Sequence, residues 1–246
     1  MGQVIAVVSG KGGTGKTVFT ALTGIQLATL RNRCLLLDCD VGLRNLDLAL
    51  GLSEHVLMDF SDVAAKRTTL KEACVRHPRL ENLYLLTAPV STESTLSTPD
   101  GMAALLDEVR EAYDFCIIDA GAGLGESFRL ATANADRIIV ISTTEPSCLR
   151  DAQRTVMELS AVPNGCLHLV VNRLRRKLLK SLRSNIDDAM DAAGLPLLGV
   201  IPEDEDLTAM LGKGMLDRLG YFSGAKRATK NIARRLCGEK VPLLKL

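Results

Sequence analysis

The sequence predicts a doubly wound α/β fold, a mostly parallel sheet with helices on both faces. Three observations predict it. Short runs of Val, Ile and Leu alternate with helical patterns along the chain. The runs are apolar at consecutive positions, as in strands covered on both sides. A glycine-rich turn joins the first run to the first helix.

The elements follow in order. Residues 4–8 read as the first strand and 17–30 as the first helix. Strands are expected at 34–37, 83–86 and 115–118, with a helix at 99–112 before the last of these. A helix at 127–133, a strand at 137–141 and a helix at 147–159 come next. Strand 167–171, helix 178–193 and strand 198–201 complete the alternation. A final helix is expected to dock through Ala225, Ala228, Ile232 and Leu236, spaced along one face. No linker, repeat or low-complexity tract divides the chain, so residues 1–246 are expected to form one domain.

Composition narrows the function. The chain is 47% apolar, which excludes wholesale disorder. Thirty Lys and Arg balance 29 Asp and Glu, so it lacks the basic excess of a nucleic-acid coat. Seven scattered cysteines form no CxxC pair, as expected of buried free thiols in a reducing cytosol. His55, His77 and His168 are too far apart to suggest a zinc site. The N-terminus lacks a signal-peptide pattern, and no apolar run is long enough to span a bilayer. A soluble, cytoplasmic protein is expected.

The strongest motif follows the first strand. Gly10, Lys11, Gly12, Gly13, Thr14, Gly15, Lys16 and Thr17 fit G-x-x-x-x-G-K-[ST]. The glycines allow backbone N–H groups to turn inward around a polyphosphate. Lys16 supplies charge to the outer phosphates, and the Thr17 hydroxyl can bind Mg²⁺. The following helix offers its positive end to the same anion. Gly10, Gly12 and Gly15 also spell the dinucleotide fingerprint G-x-G-x-x-G, with Asp38 placed for a ribose. Lys16 and Thr17 argue against that reading, since a dinucleotide pyrophosphate needs neither. A phosphate loop also needs carboxylates for metal and water. Asp38 and Asp40 close the second strand, and Asp119 ends the fourth, all on the loop's edge of the sheet. Gly121 and Gly123 follow Asp119 as a candidate switch loop.

These residues resemble the MinD/ParA family of P-loop ATPases. Lys11, inside Lys11-Gly-Gly-Thr-Gly-Lys16-Thr17, is similar to the extra lysine of their deviant Walker A motif. The stretch from Asp38-Cys39-Asp40 through Asn45-Leu46-Asp47-Leu48 is similar to the MinD branch specifically, as are Glu81-Asn82-Leu83-Tyr84, Arg150-Asp151 and Ile201-Pro202-Glu203-Asp204. The resemblance covers the chain to about Gly238. It implies an ATP- and Mg²⁺-dependent hydrolase that forms a nucleotide-sandwich homodimer. Lys11 would reach the partner's phosphates, and Asp40 would orient water. Asp38 and Asp119 would act through the metal shell, and the Gly123 N–H would face the γ-phosphate. Asn172, Arg173, Pro202, Glu203 and Asp204 would lie around adenine, and Asp151 would engage Lys11. The implied role is division-septum placement, with MinC- or MinE-like partners reading the ATP state. A DNA-linked partition ATPase, a flagellar-number regulator and a non-hydrolysing adaptor remain as alternatives.

The sequence departs from the family in three places. Ala120-Gly121-Ala122-Gly123 stands where Ser-Pro-Ala-Gly is usual, and Val18 where a second Thr is common. After Gly238 come eight residues containing Pro242, too short and broken for the family's amphipathic membrane helix. Membrane contact is then expected to be lost, supplied by another protein, or carried by a segment beyond this sequence; if retained, it would be peripheral, at the inner face. Arg173, Arg175, Arg176, Lys177, Lys180 and Arg183 form a basic cluster, read as a solvated face or as a site for DNA or lipid phosphates.

Overall fold

The computed structural model describes residues 1–41, 43–90, 99–163, 165–175 and 183–244. Gly42 and the basic residues Arg176, Lys177 and Lys180 lie outside these ranges, as do Leu178 and Leu182 of the expected helix stripe. The strands are β1 (Gln3–Val8), β2 (Cys34–Cys39), β3 (Val75–Arg76), β4 (Leu83–Leu86), β5 (Phe115–Ala120), β6 (Arg137–Ser142), β7 (Leu167–Leu174) and β8 (Leu197–Pro202). They form one sheet in the order β3-β4-β2-β5-β1-β6-β7-β8. Every pairing is parallel except β3 with β4. The expected α/β class is therefore correct. The unforeseen β3 is a two-residue edge strand, too short to show a period.

The helices are α1 (Lys16–Thr29), α2 (Leu46–Leu50), α3 (Phe60–Ala64), α4 (Leu70–Ala73), α5 (Pro99–Ala112), α6 (Glu126–Thr132), α7 (Pro146–Glu158), α8 (Arg183–Ala193), α9 (Glu205–Leu211) and α10 (Gly224–Leu236). Alternation along the strands sorts the core into two layers. Ile5, Val7, Leu36, Ile117 and Ile139 face α1 and α10. Val4, Ala6, Leu35, Leu37 and Ile118 face the layer that includes α3, α5, α6 and α7. Each fully buried Leu or Ile contributes on the order of 1.5–3 kcal/mol, so the strands hold both layers.

Close packing fixes the helices that flank the site. A Cβ on Gly24 of α1 would stand 2.5 Å from Leu36 Cδ2, so only glycine lets α1 lie this near β2. The expected docking stripe of α10 is buried, with Ala225, Ala228, Ile232 and Leu236 all in the core. The Arg235 guanidinium also donates to the carbonyls of Leu198, Val241 and Pro242. All seven cysteines are free, and burial raises the Cys39 thiol well above its ordinary value. Cys39 packs in the apolar layer opposite α1, as an inert thiol would. Among the described residues no helix is long and apolar enough to cross a membrane.

Candidate functional site

The site lies at the carboxyl edge of the sheet, where β1, β2 and β5 meet the N-terminus of α1. Gly15 caps α1 in the left-handed region, at φ 93°. That conformation suits glycine and lets the loop's N–H groups turn toward a common centre. Asn172, at the end of β7, donates Nδ2 to the Thr14 carbonyl at 2.8 Å. A Cβ on Gly15 would meet that same Nδ2 at 2.3 Å, so the glycine also makes room for the brace. Gly10 backs onto α7, where a Cβ would meet the Asp151 carbonyl at 2.6 Å. Two distant elements, β7 and α7, thus hold the loop's shape.

The two lysines of the loop have different surroundings. Lys16 is buried, and desolvation lowers its pKa against the opposing pull of Asp119 and Asp40. Lys11 lies at the rim, and its Nζ donates to Ser147 Oγ on α7 at 2.8 Å. The family resemblance implied Asp151 as its partner. In the structure Asp151 packs behind Gly10, and Ser147, one helical turn earlier, receives the amine.

The acids converge beneath Lys16. Asp38 and Asp119 are register partners on adjacent strands and both are buried. Desolvation pushes Asp119 up to about 7, helped by the negative field of Asp38 and opposed by a Thr17 hydrogen bond and Lys16. Asp38 is raised to about 6, again chiefly by burial. Its oxygens accept from the Asp40 and Leu46 N–H groups, at 2.8 and 3.1 Å. Asp38 therefore organises the loop after β2. Asp40 is half-buried and lies near Lys16, whose charge lowers its pKa while desolvation, the larger effect, raises it.

Three residues that the sequence reading passed over tie these parts together. Ser9 Oγ donates to the Lys11 carbonyl at 2.7 Å, and its own carbonyl accepts the Gly123 N–H at 3.3 Å. The Gly123 amide expected at a γ-phosphate is here turned to the end of β1. Ser127 Oγ donates to the Cys39 carbonyl and accepts from the Gly121 N–H, joining the ends of β2 and β5. Thr20 Oγ1 donates to Asp119 at 3.4 Å.

Two hollows flank the loop. One, of about 370 Å³, is lined by Lys11, Gly12, Gly13, Thr14, Glu145 and Arg173 among others. The second, of about 270 Å³, lies between Gly15, Val18, Asn172, Pro202, Asp204 and Leu207. Arg173 and Glu203 border both. Arg173 holds a left-handed backbone at φ 56°, unusual for a residue with a side chain. Arg175 pairs with Glu203 at 3.0 Å, and two members of the basic cluster, Arg173 and Arg175, border the first hollow. The expected base-binding residues do surround one cavity, but Asp204 does so as a wall. Its carboxylate accepts from Leu207 N, Ser223 Oγ and Ala225 N, capping α9 and supporting the start of α10.

The donors suit a nucleotide with magnesium. Thr14 Oγ1 is buried in the loop without a hydrogen-bond partner among the described residues. The adjacent raised carboxylates are surplus negative charge of the hard-oxygen kind that Mg²⁺ favours. Among the described residues no three or more His, Cys, Asp or Glu side chains form a metal cage. Mg²⁺ takes most of its ligands from phosphate and water and needs few protein donors.

Comparison with known proteins agrees with this geometry. The signature of the CobQ/CobB/MinD/ParA nucleotide binding domain matches residues 5–216. The septum site-determining protein MinD of Synechocystis sp. is 38% identical over 249 residues, covering 99% of this chain and 92% of its own. The Aquifex aeolicus MinC:MinD cell division protein complex contains a chain that superposes with a TM-score of 0.88 at 32% identity, covering 99% of this chain and 98% of that one. MinD of Pyrococcus horikoshii, solved with Mg-ADP, superposes with a TM-score of 0.82 at 29% identity and 96% coverage of both chains. The chain belongs to the CobQ/CobB/MinD/ParA nucleotide-binding family and, within it, to the septum site-determining MinD proteins.

Proposed function

We propose that this chain is a Mg²⁺-dependent ATP hydrolase that acts in division-site placement by switching between a free state and an ATP-bound homodimer. The observation that carries the reading is the separation of the two lysines. Lys16 is enclosed with Asp40 and Asp119, whereas Lys11 rests on Ser147 at the rim. A buried lysine serves the nucleotide of its own chain. A rim lysine is free to complete the charge cradle of a second copy, as an arginine finger does.

In this mechanism Gly10, Gly12, Gly13, Thr14 and Gly15 wrap the phosphates with backbone N–H groups. Lys16 neutralises the outer phosphates, while Lys11 does so from the partner subunit. Thr17 and Asp119 would hold Mg²⁺, with Asp38 behind them fixing the loop that carries Asp40. The metal, when bound, screens phosphate charge and positions the outer phosphate. Asp40 orients the attacking water. The Gly123 N–H exchanges the Ser9 carbonyl for the γ-phosphate, coupling nucleotide state to the loop after β5. Asn172 and Arg173 approach the base, with Pro202, Glu203 and Asp204 forming the wall of its hollow.

A MinC-like protein is the partner we propose, because a relative is seen in a MinC:MinD complex. A MinE-like protein is proposed as a second reader of the dimer. The test is phosphate release with ATP·Mg²⁺, run beside light scattering. Lys11→Ala is expected to bind ATP yet neither dimerise nor turn over. Asp40→Ala is expected to accumulate as a dimer with slow turnover. Unchanged hydrolysis in Lys11→Ala overturns the role of Lys11 in the dimer, and rapid turnover in Asp40→Ala removes Asp40 from water activation.

A further inference from the structure

Ser127 joins two parts of the site that the steps above treat separately. It stands in the first turn of α6, where a serine hydroxyl ordinarily bonds to backbone close by in the helix. Here both partners lie outside the helix. Ser127 Oγ accepts the Gly121 N–H at 2.8 Å, in the loop after β5, and donates to the Cys39 carbonyl, 88 residues away at the end of β2. It is not the cap of α6, since the N-cap is Gly125.

The Cys39 carbonyl immediately precedes Asp40. It also accepts the Val41 N–H at 3.1 Å, which makes Asp40 the centre of a three-residue turn. The Asp40 N–H is held by Asp38 at 2.8 Å, and its carbonyl accepts from Leu43 and Arg44 at 3.3 and 3.0 Å. These bonds shape the turn from its own side. Ser127 fixes it against β5. Gly121 completes the arrangement. A Cβ there would stand 2.9 Å from Ser127 Oγ and 3.2 Å from Asp40 Oδ1. The Asp40 carboxylate therefore lies close against the bare Cα of the residue whose N–H Ser127 holds.

We propose that Ser127 is a positioning residue for ATP hydrolysis, its hydroxyl fixing the Asp40 carboxylate over Gly121. The inference rests on the reading of Asp40 as the group that orients water. Ser127 touches neither nucleotide nor water in this role. It sets the distance between the turn that carries Asp40 and the loop that carries Gly123. Because Gly121 is tied down, the loop moves beyond it, where Gly123 holds a left-handed φ of 83°. Exchange of the Gly123 N–H from Ser9 to phosphate then leaves Asp40 in place. A misplacement of about 1 Å at a reacting group can cost about a hundredfold in rate, so the aim of this carboxylate matters to turnover and little to affinity.

The test is a double-mutant cycle in the full chain. Phosphate release is measured over a range of ATP·Mg²⁺, and affinity by calorimetric titration with ADP·Mg²⁺. Ser127→Ala is expected to lower kcat about tenfold while KM and ADP·Mg²⁺ affinity stay within about twofold. Ser127→Thr keeps the hydroxyl and is expected to recover most of the rate. In an Asp40→Ala background, Ser127→Ala is expected to cause no further loss, because the group it aims is gone. Gly121→Ala leaves the hydroxyl in place and crowds the carboxylate instead, and is expected to lower kcat with KM unchanged. Full turnover in Ser127→Ala beside slow turnover in Asp40→Ala overturns the proposal and leaves the reading of Asp40 standing. Equal fractional losses from Ser127→Ala with and without Asp40 also overturn it, as does an unchanged kcat in Gly121→Ala. Rapid turnover in Asp40→Ala defeats the reading of Asp40, and this proposal with it.

Discussion

Replacing Asp119 by Asn should stabilise the nucleotide-free protein while abolishing its activity. Asp119 is buried beside Asp38, and its carboxyl is pushed up to about 7. In an unfolded chain an aspartate titrates near 4, so between pH ~4 and ~7 the folded state holds a proton that the unfolded state has lost. Folding stability of the free protein therefore falls as pH rises through that window and levels off above it. A shift of about three units at about 1.4 kcal/mol each sets a ceiling of about 4 kcal/mol at pH 8. Asp38 shares the same field, so the expected gain for Asp119→Asn is about 2–4 kcal/mol. The assay is urea unfolding in chelator without nucleotide, at pH 4.5 and at pH 8. The variant should unfold near the unmodified midpoint at the lower pH and roughly 1 M later at the higher one. Added ATP·Mg²⁺ should stabilise only the unmodified protein. Equal midpoints at pH 8 would refute the argument that the site stores unfavourable charge in the absence of its ligand.

Three further outcomes follow from the packing. Asp204→Ala removes acceptors that support both α9 and α10, so stability should fall by about 2 kcal/mol and Tm by about 4–8 °C; a change within one degree in calorimetry counts against the carboxylate's structural role. Gly199→Ala places a Cβ 2.5 Å from Ile232 Cγ1, which should cost about 1–3 kcal/mol, with Ile232→Val restoring part of it in urea unfolding. Asn172→Ala frees the Thr14 carbonyl from its brace, so nucleotide affinity should drop by roughly tenfold in calorimetric titration; unchanged affinity would separate Asn172 from loop geometry.

The long strands were legible because burial on both faces leaves consecutive apolar residues, as in Val4 through Val8. The helices expected at 17–30, 127–133 and 147–159 each begin and end one residue earlier, within the usual play of helix ends. The short α3 and α4 were missed although their N-termini are written plainly. Asp59 with Asp62, and Thr69 with Glu72, form reciprocal caps. The phosphate loop is a local motif, and the acids are visible because each closes an apolar run. Ser9, Ser127 and Ser147 are not legible in the same way. Ser147 meets Lys11 and Ser127 meets Cys39 across most of a hundred residues or more, so no local spacing records them. Asp204 shows the converse. A resemblance placed it at the base, but an Asp immediately before a helix is also an N-cap, and the structure spends its carboxylate there.

The alternation of β2 has a consequence for folding. Leu36 and Leu37 belong to opposite apolar layers, so Asp38 lies on the α1 side and Cys39 on the other. If β2 folded one residue out of step, Asp38 would turn into the apolar layer occupied by Leu35, Leu37 and Ile118 and away from the N–H groups it now accepts from. An ionised carboxylate in that environment costs several kcal/mol. The correct register sets the same carboxylate against the N–H groups of Asp40 and Leu46. The acid at the end of the strand thus proofreads the alignment of the strand behind it, and a chain that has placed Asp38 correctly has also brought Lys16, Asp40 and Asp119 within reach of one another.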